Sequence, residues 1–177
     1  YKDIGVASVP MSGGDILPAL EKGTIDAAEW CCPKPDSVFG FQKVLKNYYL
    51  QGLHQNVVNG DIYINGDVYK SLTDHQKYAM EIASEAMITR NITNRAVENG
   101  KALIDLTTNH GVILHDTPAD YFTEYMNAAQ ATIAKNAAAN PFFKEVYEHM
   151  TAHAKIVVPF IAQMETSDAA IGTAFAS

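Results

Sequence analysis

The chain is predicted to be an α/β protein whose first third alternates short strands with helices and whose remainder is nearly all helix. Three observations point there. Short β-branched runs before residue 66 are bounded by Gly, Pro, Ser and Asp. Thr73-Asp74-His75-Gln76 has the spacing of a capping box, and no proline follows it until Pro118. An Ala-rich stretch from Ala128 to Ala139 favours helix and close packing near the end.

Taken in order, Gly5 to Met11 is expected to be a strand, and Ser12-Gly13-Gly14-Asp15 opens a helix with an acid where free N–H groups point. Gly23 stands at the C-cap of that helix. Ile25 to Cys31 reads as the next strand, giving a βαβ-like unit, and ligands gather at strand ends in such sheets. A second helix is expected over Asp36–Lys46, an aromatic loop over Asn47–Asn56 and a strand over Val57–Asn65. A short turn at Asp67–Leu72 precedes one helix from Thr73 to Asn109, with Gly100 inside it. Gly111–His115 reads as a strand, and helices follow from Pro118 and from Phe142, separated by Asn140-Pro141. The composition therefore divides at about residue 66, into 1–65 and 66–177.

The 177 residues carry 13 Lys and Arg against 20 Asp and Glu, a net charge of −7. With no basic block or stripe, the sequence argues against a nucleic-acid partner. No apolar run reaches the roughly 18 residues that a membrane span needs, so the chain is not expected to be membrane-embedded. Cys31 and Cys32 are neighbours, a spacing that disfavours a bridge between them and builds no disulfide framework. His149 and His153 share a helix face but lack further ligands, and read as a solvated face.

The candidate chemistry sits in the stretch GTIDAAEWCCPKPD, residues 23–36. Glu29 and Trp30 end a predicted strand at a loop. A carboxylate there can bind a cation through oxygen, and a flat indole can wall a small-ligand pocket; a surface acid beside a core Trp would leave the same pattern. Asp26 falls on the opposite side of the strand from Glu29. Asp61 interrupts an otherwise alternating apolar run, either facing water or held by a partner.

The run SVPMSGGDILPALEKGTIDAAEW resembles the periplasmic solute-binding proteins of TRAP transporters, with Asp15, Ala19, Leu20, Gly23, Ile25, Asp26, Ala27, Glu29 and Trp30 in register. The later order of FGFQKVLKNYY, long helix and GVILH strand fits as well. The resemblance implies a periplasmic-binding-protein-like two-lobe fold, present here as about its C-terminal half, with the long helix spanning the lobes. Residues 1–65 would be the remnant of the ligand-binding lobes. Residues 66–177 would hold the spanning helix, a short strand and the C-terminal helices. A signal peptide and a first lobe bearing a carboxylate-clamping Arg are expected before Tyr1.

The Ala-Ala-Glu-Trp form is similar to the branch that binds 2-oxo or 2-hydroxy monocarboxylates. That likeness implies Glu29 and Trp30 as ligands of a bridging cation, sodium or calcium, and Asp61 as an acid facing the bound molecule. Two departures stand out: Cys31-Cys32-Pro33 replaces the branch's Val-Gly-Pro, and Leu53-His54 replaces paired aromatics. The implied role is capture of a small organic acid in the periplasm and delivery to the TRAP membrane subunits, without catalysis. A homodimer is compatible with it. Two competing readings are an enzyme with Glu29 as general base and a metal as Lewis acid, and a helical protein-interaction module over 73–165.

Overall fold

The computed structural model describes residues 1–52, 54 and 60–176. Its helices are α1 (Gly13–Glu21), α2 (Pro33–Phe39), α3 (Gly66–Ser71), α4 (Asp74–Asn109), α5 (Ala119–Ala139) and α6 (Pro141–Ala176). Two strands are described, β1 (Asn47–Tyr49) and β2 (Ile113–His115), and single 3-10 turns cover Lys2–Ile4 and Phe41–Lys43.

The long helix forms where its start signal places it. Thr73 accepts the Gln76 N–H while the Gln76 side chain accepts the Thr73 N–H, so both bonds of the capping box are present. From there α4 runs for 36 residues, through Gly100, to Asn109. Asn65 caps α3 through the N–H groups of Asp67 and Val68, and Asn140 caps α6 through those of Phe142 and Phe143. These termini are set by residues within three positions of each other, which is why sequence spacing finds them.

The strands follow a different rule. β1 and β2 pair in parallel, with Asn47 opposite Ile113, Tyr48 opposite Leu114 and Tyr49 opposite His115. Lys46 extends the ladder by accepting the Ile113 N–H at 2.7 Å, and its Nζ donates to the His110 carbonyl at 2.8 Å. His115 stacks on Tyr49 at 5.0 Å, and Thr117 bonds Gln51 twice.

The expected strands at Gly5–Met11 and Ile25–Cys31 are not strands, and no βαβ unit forms among the described residues. Of the run Val57–Asn65, residues 57–59 lie outside the described residues, and 60–65 are irregular. A strand needs a neighbour to take its N–H and C=O groups, and the described residues offer these runs none. Val9, Ile62 and Tyr63 are accordingly exposed. The second helix also differs: it starts at Pro33 rather than Asp36 and stops at Gly40, whose φ of +87° ends it in the left-handed region. The expected loop at Asn47–Asn56 contains β1 instead.

By its contacts the chain forms two compact units, Ser8–Tyr121 and a second made of Tyr1–Ala7 with Phe122–Ser177. In the first, Ile16 and Leu20 on α1, Ala102 and Leu106 on α4, Val112, and Pro33 on α2 are the buried apolar side chains among the described residues, and α2 packs on α4. Each pair is one helical turn apart, one buried stripe per helix. In the second unit Thr132 donates to Asp3, and the Tyr1 and Tyr125 rings meet at 5.5 Å.

Nothing lies within 4 Å of the position a Cβ would take at Gly100. Gly100→Ala is therefore expected to stabilise the chain by about 0.5–1 kcal/mol, as for an unstrained Gly-to-Ala change in a helix. Thermal unfolding should show a higher midpoint; a lower one would mean that the helix needs its glycine there.

Candidate functional site

Trp30 lies on irregular backbone between α1 and α2 rather than at a strand end. Its indole meets the Phe39 ring at 4.7 Å with a 58° tilt, and Phe39 stacks on Phe41 at 5.9 Å. Such tilted and offset pairs are favourable beyond their buried area. Gly13, the first residue of α1, makes room for the ring: a Cβ there would stand 2.6 Å from Trp30 Cη2. The indole is thus held between the start of α1 and the end of α2, with 36% of the residue still open to solvent. It can wall a ligand on its free side.

Glu29 directs a carboxylate oxygen toward His54 Nε2 at 3.6 Å, and its side chain is 58% exposed. Asp61 accepts the Tyr63 hydroxyl at 3.2 Å and is exposed. Among the described residues no hydrogen bond or ion pair joins Asp61 to Glu29 or Trp30. The structure therefore brings Glu29, Trp30 and His54 toward one segment and leaves Asp61 with Tyr63.

That segment is held from below by residues whose importance the sequence does not announce. Asp36, buried in α2, accepts the Cys32 N–H at 3.2 Å and the Tyr48 hydroxyl at 2.5 Å. Burial raises the Asp36 carboxyl above its ordinary value of 3.8. The bonds from Tyr48 and from the Cys32 and Cys31 amides pull it back, and the Glu29 charge adds to the rise. Tyr48 is raised as well, first by burial and then by its bond to Asp36. One signal was present in the sequence: an acid four residues after Cys32, the N-cap of α2, can reach back to the cap's N–H. Nothing local points to Tyr48, which arrives from β1.

Beyond Cys31 and Cys32 an open groove of about 400 Å³ runs between the start of α2 and α4, lined by Lys34, Asn91, Arg95 and Asn99 among others. Asn99 accepts the Lys34 N–H at 2.9 Å. Neither Glu29 nor Trp30 lines this groove.

For a cation, the donor chemistry fits in part. Glu29 offers carboxylate oxygens, which suit a hard ion such as sodium or calcium. The Trp30 indole N–H only donates, so Trp30 could serve an ion through its main-chain carbonyl alone. No cluster of three or more His, Cys, Asp or Glu side chains gathers among the described residues. The further oxygens that a hard cation needs would come from main-chain carbonyls, water and a bound acid.

Residues 1–140 match the family model of bacterial extracellular solute-binding proteins, family 7 (DctP). The chain belongs to this family. It is 31% identical over 159 residues to a monocarboxylate 2-oxoacid-binding periplasmic protein of Nostoc, an alignment covering 86% of this chain and 42% of that protein. It shares its fold with a TRAP transporter solute-binding protein of Bordetella bronchiseptica, at a TM-score of 0.72 and 26% identity, over 98% of this chain and 53% of the other. That crystal structure is a dimer of mixed occupancy, with copurified calcium and picolinate in one active site and the other site apo. The chain spans about half the length of both relatives. The relatives are solute-binding proteins rather than enzymes, and the catalytic alternative for Glu29 falls with them. No described helix is long and apolar enough to cross a membrane.

Two outcomes are expected from these contacts. Gly13→Ala should push the indole off α1. Because Trp30 is the only Trp in the chain, its emission should move to longer wavelength, and unchanged emission would mean that the ring does not rest on Gly13. The second concerns pH. With its folded pKa above the unfolded value, Asp36 holds a proton in the folded state that the unfolded state has already lost. Its contribution to stability is present below about 3.8 and is lost as pH rises through the higher folded value. Asp36→Asn should flatten the dependence of stability on pH in that window, as read by urea unfolding; parallel profiles for the two proteins would exclude it.

Proposed function

We propose that the protein is the solute receptor of a TRAP transporter, capturing a small 2-oxo or 2-hydroxy carboxylate in the periplasm and handing it to the membrane subunits. In this reading residues 1–65 supply part of the ligand-binding lobes, and 66–177 supply the long helix with the C-terminal helices. The remaining length that its relatives possess completes the site.

The observation that carries the reading is the adjacency of Glu29 and Trp30, an exposed carboxylate beside an indole wedged on Gly13 and Phe39. Support comes from the 2-oxoacid named for the Nostoc relative and from the calcium and picolinate of the Bordetella protein. Electrostatics gives the reason for an ion. Two carboxylates about 4 Å apart repel by roughly 4 kcal/mol at an effective dielectric constant near 20. A cation held by Glu29 and the Trp30 carbonyl turns that repulsion into attraction, and Trp30 closes the pocket beside it. Asp61 would face the bound acid from the other side.

His54, 3.6 Å from Glu29, is the alternative counter-charge when protonated. It stands where the resembling branch carries aromatics. Calorimetric titration of the complete receptor with pyruvate, before and after removal of cations, separates the two. Cation dependence is expected, together with a loss of about 2 kcal/mol, roughly thirtyfold, in Glu29→Gln. Binding that survives cation removal but fails in His54→Phe would replace the ion by the imidazolium. Full affinity in Glu29→Gln would remove Glu29 from the site.

A further inference from the structure

We propose that Cys31 and Cys32 are a redox-modification site, closing a reversible vicinal disulfide that reorders the backbone directly after Trp30. The two thiol sulfurs are in contact, with Sγ atoms 2.8 Å apart. Both thiols are free, Cys31 exposed and Cys32 half-buried. The groove beside them opens to solvent between α2 and α4, so an oxidant can reach them. Arg95 on α4 directs Nη2 to Cys32 Sγ at 3.6 Å, placing a fixed positive charge where negative charge collects on sulfur during exchange.

The chemistry balances with a disulfide as oxidant, a class available in the oxidising compartments where extracellular proteins reside. The Cys32 thiol gives up its proton and attacks one sulfur of the oxidant. A mixed disulfide forms and one thiolate leaves. Cys31 then loses its proton and attacks Cys32 Sγ, expelling the second thiolate. Two protein thiols and one disulfide have become one protein disulfide and two small thiols. In the reduced protein, burial and the neighbouring Cys32 thiol push the Cys31 pKa up to about 11, with Arg95 working against them.

Adjacency makes such a bond labile. Neighbouring Cα atoms stand about 3.8 Å apart across a trans peptide, short of the roughly 4.4–6.8 Å that disulfides prefer. A strained bond is more easily reduced, and strained bonds are those found in regulation rather than in frameworks. The strain falls on the peptide between the two residues, whose N–H bonds Asp36 at 3.2 Å. Closing the small ring must twist that peptide against its carboxylate partner. Trp30 is the next residue back.

The test uses glutathione buffers of graded oxidised-to-reduced ratio, with alkylation and intact-mass measurement. The expected result is a monomer that loses both alkylatable thiols and two hydrogens in mass, and regains them with dithiothreitol. Trp30 emission should shift over the same range of ratios, and should not in Cys31→Ser. Two alkylatable thiols at every ratio, or oxidation that yields only covalent dimers or glutathione adducts, would overturn the proposal. Disulfide closure with unchanged Trp30 emission would overturn its coupling to that segment. None of these readouts depends on the bound solute.

Discussion

The buried carboxylate of Asp36 is the contact on which the rest of the site depends. It takes the Cys32 N–H from the segment that carries Glu29 and Trp30, and the Tyr48 hydroxyl from β1. β1 in turn pairs with β2, which follows directly from α4. One side chain thus ties the approach to α2 to the two-stranded sheet. A buried acid is tolerable only with its lone pairs occupied, and here two donors from different parts of the chain occupy them.

Around that contact the backbone of Glu29 and Trp30 is neither helix nor strand. Its position is set by side chains: the indole on Gly13 and Phe39, the carboxylate near His54, the following amide on Asp36. Irregular backbone suits a binding segment, because carbonyls not committed to a ladder remain able to face a ligand or an ion. The same arrangement makes the segment sensitive to small changes. A single methyl at Gly13 would meet the Trp30 ring directly.

Membership of the solute-binding family places these local contacts in context. The relatives are about twice as long as this chain. Its buried apolar set among the described residues is small, while Ile62, Tyr63, Phe142 and Ile156 are each at least 70% exposed. A chain of this length ordinarily buries about 70% of the surface its unfolded form exposes. Apolar faces left this open are the kind that other protein surface covers.

The sequence by itself determined the helical half. α4 is capped by Thr73 and ends at Asn109, and Asn140-Pro141 parts α5 from α6, because caps and proline breaks act within a turn of the chain. It also placed the strand at the end of GVILH and the adjacency of Glu29 and Trp30. Tertiary structure decided the rest. Gly5 to Met11 and Ile25 to Cys31 read as strands but have no ladder partner among the described residues, while Asn47 to Tyr49, which reads as a loop, found one in Ile113 to His115. The union of Asp36 with Tyr48, and of Cys32 with Arg95 63 positions away, leaves no periodic trace. Caps are bonds between near neighbours and are written in spacing; strands and buried polar pairs are bonds between distant residues, and only the folded chain selects the partner.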